Sequence, residues 1–205
     1  MVTVEFGALA PADRYHWMAD AIIPRPVGWI STLSATGVAN LAPFSFFQCV
    51  SASPPLLMLS ILTSPDGQRR DTLENLRMLP EMVVNTVPPE LAQSMSSTST
   101  ALPPQSSEFV AFGLTMIKST IVAPPRVGGS AISFECSVDE MRPIGTGPYS
   151  ATMVLARVEL AHIAEEVLDQ RGRVDVGKHV TVGRLSGNHY VTTDGAFFMQ
   201  RPDRA

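Results

Sequence analysis

The stretch VGWISTLSATGVANLAP, residues 27–43, decides the fold of this chain. Its first seven residues are apolar and rich in strand formers, SATG has the composition of a tight turn, and VANLAP begins a return strand. Two such runs around a short turn predict a β-hairpin. Pro43 has no backbone N–H to give to a strand ladder, so the return strand should lie at a sheet edge or contain a bulge.

Most of the remaining sequence favours strands over helices. The apolar run LLMLSIL, residues 56–62, suits a central strand that is covered on both faces. Other runs of alternating or continuous apolar residues predict further strands. These lie at residues 46–51, 82–87, 132–138 and 153–163.

Helix signals are fewer, and the predicted helices are short. Asp71, followed by Glu74, is the predicted N-cap pair of a helix TLENLRML that a proline ends. Two more helices are predicted at residues 13–21 and from Pro89, and the polar segment 94–107 is predicted as a loop. Many short strands with a few small helices predict a mainly β fold, an antiparallel β-barrel, and argue against a doubly wound α/β sheet.

Composition limits the class of protein. The chain has 205 residues, a net charge of −4, 45% hydrophobic and 17% charged residues, which excludes a disordered chain. An acidic chain without a basic run is not expected to bind nucleic acid. The N-terminus has no signal-peptide pattern, and the longest apolar run is too short to span a membrane. We expect one soluble, cytoplasmic domain over residues 1–205, with Cys49 and Cys136 as buried, unpaired thiols.

The sequence carries no familiar hydrolytic or nucleotide-binding motif. GxSxG, HExxH and the Walker loop are absent, and the four histidines do not have metal-ligand spacing. The Gly145-Thr146-Gly147 run lacks the third glycine of a dinucleotide-binding loop. A chain without an obvious acid, base or nucleophile either binds a ligand or leaves the difficult chemistry to a cofactor.

Two segments around the hairpin have the composition of a site for a flat, anionic ligand. Ser31 and Thr32 end an apolar strand, but adjacent strand side chains point to opposite faces, so at most one faces a ligand. Ordinary turn chemistry explains these hydroxyls equally well. In residues 40–47, a bulge at Pro43 would let a ring approach the backbone. An aromatic core strand is the alternative there, and composition alone favours it.

A third segment, residues 66–75, joins a glycine turn to the predicted helix. Arg69, Arg70 and Thr72 lie at the mouth of that helix. A helix N-terminus offers free N–H groups and a partial positive charge, and arginine adds a bidentate donor. This pattern predicts a phosphate site, and a solvated basic turn is the alternative.

Four motifs occur in the order RPxGWIST at 25–32, NxAPFSFF at 40–47, RRDTxxN at 69–75 and GRLxGxxY at 183–190. Together they resemble one known family. It is the flavin-reductase-like, FMN-binding proteins of the split-barrel type, which include flavoredoxins and reductase components of two-component monooxygenases. The likeness runs over residues 19–202, and one departure is Phe46, where many relatives carry Tyr.

The resemblance implies a homodimer in which each FMN occupies a cleft near the subunit interface. Ser31 and Thr32 would end the strand beside the flavin. Arg184 and Tyr190 are the site residues of the late motif, GRLxGxxY at 183–190. Neither a catalytic side chain nor a metal site is predicted. The remaining site residues are Asn40, Ala42, Pro43, Phe44 and Ser45 along the flavin ring and ribityl chain, and Arg69, Arg70, Asp71 and Thr72 around the phosphate.

Three functions remain open. The leading one is an NAD(P)H-dependent flavin reductase that transfers hydride from nicotinamide to flavin N5, with a flavin-dependent monooxygenase or an electron-transfer protein as partner. The second is an FMN electron carrier reduced by a partner protein, and the third is a barrel that binds flavin without turnover. The use of NAD(P)H follows from the resemblance alone, because the sequence has no nicotinamide-specific motif.

Overall fold

The computed structural model describes residues 1–67, 70–103, 105–200 and 202. Its helices are α1 (Pro11–Ala21), α2 (Asp71–Met78), α3 (Ala92–Ser97) and α4 (Glu108–Ala111). Its strands are β1 (Arg25–Pro26), β2 (Gly28–Leu33), β3 (Ala39–Phe44), β4 (Phe47–Ala52), β5 (Pro55–Leu62), β6 (Glu81–Asn85), β7 (Met116–Ile117), β8 (Arg126–Val127), β9 (Ile132–Ile144), β10 (Ala151–Ile163), β11 (Val182–Arg184) and β12 (Tyr190–Thr192).

Seven strands form one antiparallel sheet in the order β3-β2-β6-β9-β10-β5-β4. Smaller sheets pair β1, β11 and β12, and β7 with β8. The predicted hairpin is confirmed, because β2 and β3 pair with Gly28 opposite Phe44 and Thr32 opposite Asn40. β3 is also one edge of the large sheet, as Pro43 predicts. The mainly β fold with a few short helices is therefore confirmed.

The strand β5 differs from its prediction. It lies next to the edge strand β4, and only one of its faces is well buried. Leu57, Leu59 and Ile61 are buried, whereas the alternate residues Met58 and Leu62 are only half-buried. A continuous apolar run does not reveal which of its two faces lacks a covering layer.

The hairpin of β9 and β10 is longer than predicted. Each strand has 13 residues, and β9 continues six residues beyond the predicted end at position 138. The extension, DEMRPI, is mostly exposed and therefore has no apolar alternation to mark it in the sequence. Pairing with β10 maintains this polar extension as a strand.

Two helix boundaries also differ from prediction. The N-cap of α2 is Arg70, with no side-chain cap hydrogen bond, and Asp71 is the first helical residue. Asp71 and Glu74 both lie in the first turn, where a negative charge opposes the positive end of the helix dipole. The helix α3 extends to Ser97, so the predicted loop 94–107 begins later. Burial of Met95 on the helix outweighs the polar composition of that stretch.

The buried apolar residues form two clusters. Adjacent residues of β2 point to different clusters, since Trp29 belongs to one and Ile30 to the other. The sheet core contains Ile30, Leu57, Leu59, Ile61, Leu73, Leu76, Met82, Val84, Cys136, Val154 and Ala156. The loop core contains Val27, Trp29, Ala39, Leu41, Val87, Met95, Phe109, Val127 and Val182.

The two thiols are free, but they differ in exposure. Cys136 is fully buried in the sheet core, and burial raises its pKa to about 12. Cys49 is exposed on β4, so the prediction that both thiols are buried is wrong for this residue. It lies on the edge strand β4, most of whose residues are exposed. Among the described residues, none of the helices is both long and apolar enough to cross a membrane.

Candidate functional site

A cleft of about 690 Å³ opens between α1, the end of β3, the start of α2 and the loop after α3. This volume suits a cofactor-sized ligand. Its walls are Tyr15, His16, Ala19, Asp20 and Arg25; Asn40, Ala42, Pro43, Phe44, Ser45 and Phe46; Ser60, Leu62, Ser64 and Asp66; Arg70, Asp71 and Thr72; Thr98, Ser99, Thr100, Ala101 and Leu102; and Glu108, Arg184 and Gly187.

The edge strand β3 supplies one wall of the cleft. All the residues predicted along the flavin ring and ribityl chain lie on this wall. A polar contact connects the strand to the next wall, because Asn40 Nδ2 donates to Thr72 Oγ1 at 3.0 Å. The residues concerned are Asn40, Ala42, Pro43, Phe44 and Ser45.

The start of α2 supplies the second wall. Arg70, Asp71 and Thr72, predicted at the phosphate, all line the cleft there. The first N–H groups of a helix have no partner within the helix, so this end can bind an anion together with Arg70. The prediction for Arg69 lies outside the described residues.

The hydroxyls of Ser31 and Thr32 do not reach the cleft. Both residues are fully buried in β2, which has a paired strand on each side. Ser31 donates to the carbonyl oxygen of Pro125, and Thr32 Oγ1 accepts a hydrogen bond from Asn75 Nδ2 at 3.0 Å. The structure therefore places them as interior contacts between β2 and its neighbours.

The late motif brings one of its two predicted residues to the cleft. Arg184 lines the cleft, and its guanidinium lies 4.6 Å from the centroid of the Tyr190 ring. Arg184 also donates to the Tyr190 hydroxyl and to the carbonyl oxygen of Gly187. Tyr190 does not line the cleft, and its contacts orient the arginine that does.

Arg25 is a buried residue that the motif contained but the site prediction missed. Its guanidinium donates to the carbonyl oxygens of Ala19 and Ile22 at the end of α1 and, at 2.7 Å, to that of Leu185. It therefore connects α1 to the late motif in the wall of the cleft. The dipeptide Arg-Pro in the first motif was the available signal, but nothing in the sequence indicated its partners.

An aromatic group from α1 was also missed. The Tyr15 ring lies between Phe46 at 6.2 Å and Tyr149 at 5.6 Å, measured between ring centroids. Tyr149 has a φ of 61°, an uncommon conformation for a bulky residue. These rings hold α1 against the cleft, and their separation in the sequence concealed the contact.

Glu108 was missed as well, and it is only 6% exposed. Its Oε2 accepts the backbone N–H of Leu41 at 2.8 Å. Burial raises the pKa of this carboxyl, and the charge of Asp71 acts in the same direction. A carboxylate in the wall of the cleft accepts hydrogen bonds and repels anions.

The cleft combines cationic, acidic and hydroxyl groups. Arg70 and Arg184 can bind an anionic group, and Thr98, Ser99 and Thr100 add hydroxyl side chains. Among the described residues, no group of three or more His, Cys, Asp or Glu side chains could hold a metal ion. The arrangement suits a polar, elongated ligand with one negatively charged end.

The fold defines the class of this protein. The structure is similar to nitrilotriacetate monooxygenase component B from Bacillus cereus, with a TM-score of 0.91 and 29% identity over 97% of this chain and 98% of that one. It is similar to 2-nitrobenzoate 2-nitroreductase NbaA from Pseudomonas fluorescens, with a TM-score of 0.87 and 25% identity over 98% and 96%. A Shewanella frigidimarina protein assigned as a flavin reductase with a split barrel domain shares the fold at a TM-score of 0.82, 22% identity and coverage of 97% and 96%. The fold is a split barrel, as predicted.

The sequence match defines the family within that class. Residues 18–179 match the model of the flavin reductase like domain. An uncharacterized protein of Aquifex aeolicus is 35% identical over 181 residues, which are 88% of this chain and 90% of that protein. The chain therefore belongs to the flavin-reductase-like family of flavoproteins.

Proposed function

We propose that this protein is a flavin reductase that binds FMN and takes its electrons from NAD(P)H. The observation that carries the proposal is the cleft itself, in a barrel of the flavin-reductase-like family. Its edge-strand wall, residues 42–45, stands beside a helix mouth that carries Arg70. We propose further that residues 1–205 form one such domain, since β1 near the N-terminus pairs with β11 near the C-terminus.

The donor set of the cleft fits FMN. The ring would lie along Ala42, Pro43 and Phe44, where the proline and small residues leave the backbone accessible. The terminal phosphate would meet Arg70 and the free N–H groups of α2. Arg70 and the N-terminus of α2 suit one terminal phosphate, so we expect FMN to bind more tightly than FAD.

The bound flavin would supply the hydride-accepting chemistry. The residues of this chain would bind the flavin, fix its orientation and exclude water from part of its surface. Proton transfer by a side chain is not required for hydride transfer to a flavin. The lack of an evident acid–base pair in the sequence is therefore compatible with an enzyme.

Rapid mixing with nicotinamides tests the proposal. We expect the purified protein to bind FMN stoichiometrically, and NADH or NADPH to bleach the bound flavin within the enzyme's turnover time. Bound flavin that neither nicotinamide reduces would reject the reductase and leave the electron carrier and the barrel that binds flavin without turnover. Failure to bind any flavin would reject the proposed function.

The phosphate contact has its own test in Arg70→Ala. A hydrogen bond to a charged group contributes about 1.5–3 kcal/mol, so FMN affinity should fall roughly 10- to 150-fold. Riboflavin, which has no phosphate, should bind the variant and the wild type equally. Normal FMN binding by an Arg69→Ala, Arg70→Ala double variant would reject the phosphate assignment.

We propose a cytoplasmic homodimer for the working state. The half-buried face of β5 and the exposed Trp17, Ile22 and Ile23 would be covered by a second copy. Light scattering of diluted protein, with and without FMN, tests this. A 22.1 kDa monomer that still binds FMN tightly would reject the dimer.

The partner of the proposed reductase is suggested by a structural relative. Component B of nitrilotriacetate monooxygenase is named as one part of a monooxygenase, so we propose a flavin-dependent monooxygenase as acceptor of reduced flavin. Coupled turnover with such an oxygenase, measured as product formed for each NAD(P)H consumed, tests the assignment.

A further inference from the structure

Two buried glutamates of the structure differ in how fully they are bonded. Glu135 is completely buried and accepts the backbone N–H groups of Thr120, Ile121 and Val122, at 2.7, 2.7 and 3.2 Å. It also lies 2.6 Å from His162 Nε2. Although burial alone raises its pKa, these bonds lower it. Its carboxylate is saturated by the protein.

The carboxylate of Glu108 accepts fewer hydrogen bonds from the protein than that of Glu135. Beyond its own backbone N–H, one residue in the described part of the chain bonds to its carboxylate: Leu41 donates its N–H to Oε2 at 2.8 Å. A carboxylate can accept about four hydrogen bonds, and an ionised one that is buried requires most of them. Glu108 is 6% exposed, and it lines the cleft. Its remaining acceptor capacity is therefore available to a ligand in the cleft.

The position of Glu108 indicates which part of a ligand it meets. Its partner Leu41 lies between Asn40 and Ala42, which both line the cleft. Asn40 in turn bonds to Thr72 at the mouth of α2. Glu108 thus lies where the strand wall meets the helix mouth, between the groups suited to a ring and those suited to a phosphate.

The chemistry of a carboxylate selects among the groups of a flavin nucleotide. A carboxylate repels a phosphate, and Asp71 beside it adds a second negative charge. Hydroxyl groups are the donors it can accept, and FMN carries them on the ribityl chain between ring and phosphate. Glu108, next to the N-terminus of α2 and to the strand wall, therefore has the chemistry to accept a hydrogen bond from this part of the ligand.

We propose that Glu108 is a binding residue that accepts a hydrogen bond from a ribityl hydroxyl. This inference rests on the proposed function and names the part of the ligand that one side chain recognises. Glu108 then contributes to affinity for flavins with a polyol chain and contributes nothing to the ring alone.

Binding of two flavins to two variants tests the inference. Riboflavin carries the ribityl chain, and lumiflavin carries the same ring without it. Glu108→Gln retains the shape and can still accept the Leu41 N–H, but it replaces a charged acceptor with a neutral one. Riboflavin and FMN affinity should fall roughly 5- to 15-fold, and lumiflavin affinity should not change. Glu135→Gln, the matched control for loss of a buried carboxylate, should leave the ratio of riboflavin to lumiflavin affinity unchanged.

The outcomes distinguish a failure of the proposed function from a failure of the inference about Glu108. If wild-type protein binds neither FMN nor riboflavin, the proposed function and this inference both fail. If wild type binds both but Glu108→Gln retains the wild-type ratio of riboflavin to lumiflavin affinity, the inference alone fails. Should Glu108→Gln not fold, Glu108→Asp retains the charge on a shorter chain. It supports the inference by lowering that ratio and overturns it by leaving the ratio unchanged.

Discussion

The two hydrophobic clusters of this barrel are built in different ways. The sheet core consists of residues from long strands and from α2, and burial alternates along β5 and the buried part of β10. The loop core draws on short pieces, among them β8, β11, α3 and α4, which pair little with one another. Strand ladders satisfy their own backbone groups, whereas such short pieces do not.

Buried polar side chains supply the missing bonds in the loop core. Asn85 Nδ2 donates to the Trp29 carbonyl at 2.9 Å, and its Oδ1 accepts from Val127 N at 3.0 Å and Ser133 Oγ at 2.8 Å. Trp29 Nε1 donates to Thr98 Oγ1 at 2.9 Å. The loop core therefore depends on a few specific side chains, and the sheet core depends on packed area.

The variant Asn85→Ala should show the largest effect. It leaves three buried partners without their bonds, each at about 1–3 kcal/mol, so the free energy of unfolding should fall by about 5 kcal/mol. Urea denaturation measures the loss. Ser133→Ala removes one of these partners and should cost no more than about 2 kcal/mol. Equal losses for the two variants would contradict a network centred on Asn85.

The corresponding change in the sheet core is Leu59→Ala. Leu59 is 1% exposed and makes no polar contact through its side chain, so the cost is that of a cavity, about 3 kcal/mol. The dependence on denaturant should keep its slope, because the folded surface is unchanged. A loss as large as that of Asn85→Ala would remove the distinction between the two clusters.

Trp29→Phe should cost less, about 2 kcal/mol, since most of the ring volume remains and one hydrogen bond is lost. Its partner Thr98 lines the cleft, so we also expect FMN affinity to fall several-fold. Leu59→Ala is the control and should retain FMN affinity. Unchanged FMN affinity in Trp29→Phe would show that the Trp29–Thr98 hydrogen bond does not contribute to flavin binding.

The smallest expected effect is a loss in the free energy of unfolding at alkaline pH, and it comes from Cys136. The thiol has a pKa of about 12 in the folded protein and an ordinary value of 9.0 in the unfolded chain. Between these values only the unfolded state ionises, so the free energy of unfolding should fall as pH rises, by about 1.4 kcal/mol at pH 10. The contribution fades as pH falls below 9, because the thiol is then protonated in both states. Cys136→Val should flatten the dependence, and an undiminished fall in this variant would contradict the assignment to Cys136.

The sequence predicted what depends on local pattern. The hairpin of β2 and β3, the edge position of Pro43 and the arginine at the mouth of α2 all follow from neighbouring residues. It failed where contacts join distant segments. Glu108 and Leu41 are 67 positions apart, and Trp29 and Thr98 are 69 apart, so composition and periodicity carry no record of either pair.

Ser31 and Thr32 illustrate the opposite limit. The sequence correctly places them near the end of β2. Whether each hydroxyl faces a ligand depends on which elements cover the two faces of that strand. β6 and β3 flank β2, and the hydroxyls bond to Pro125 and Asn75 in the interior. Only the packed structure decides whether a polar strand residue faces a ligand or the interior.

The outer edge of β3 is poorly suited to pairing with a strand from another molecule. An exposed strand edge recruits strands from other molecules through its free N–H groups. The backbone nitrogen atoms of Leu41 and Pro43, two residues apart, face the same hydrogen-bonding edge of β3. Glu108 occupies the Leu41 N–H, and Pro43 has none to offer. An incoming strand would find neither donor at these two positions, so this edge resists intermolecular pairing in a chain whose residues are 45% hydrophobic.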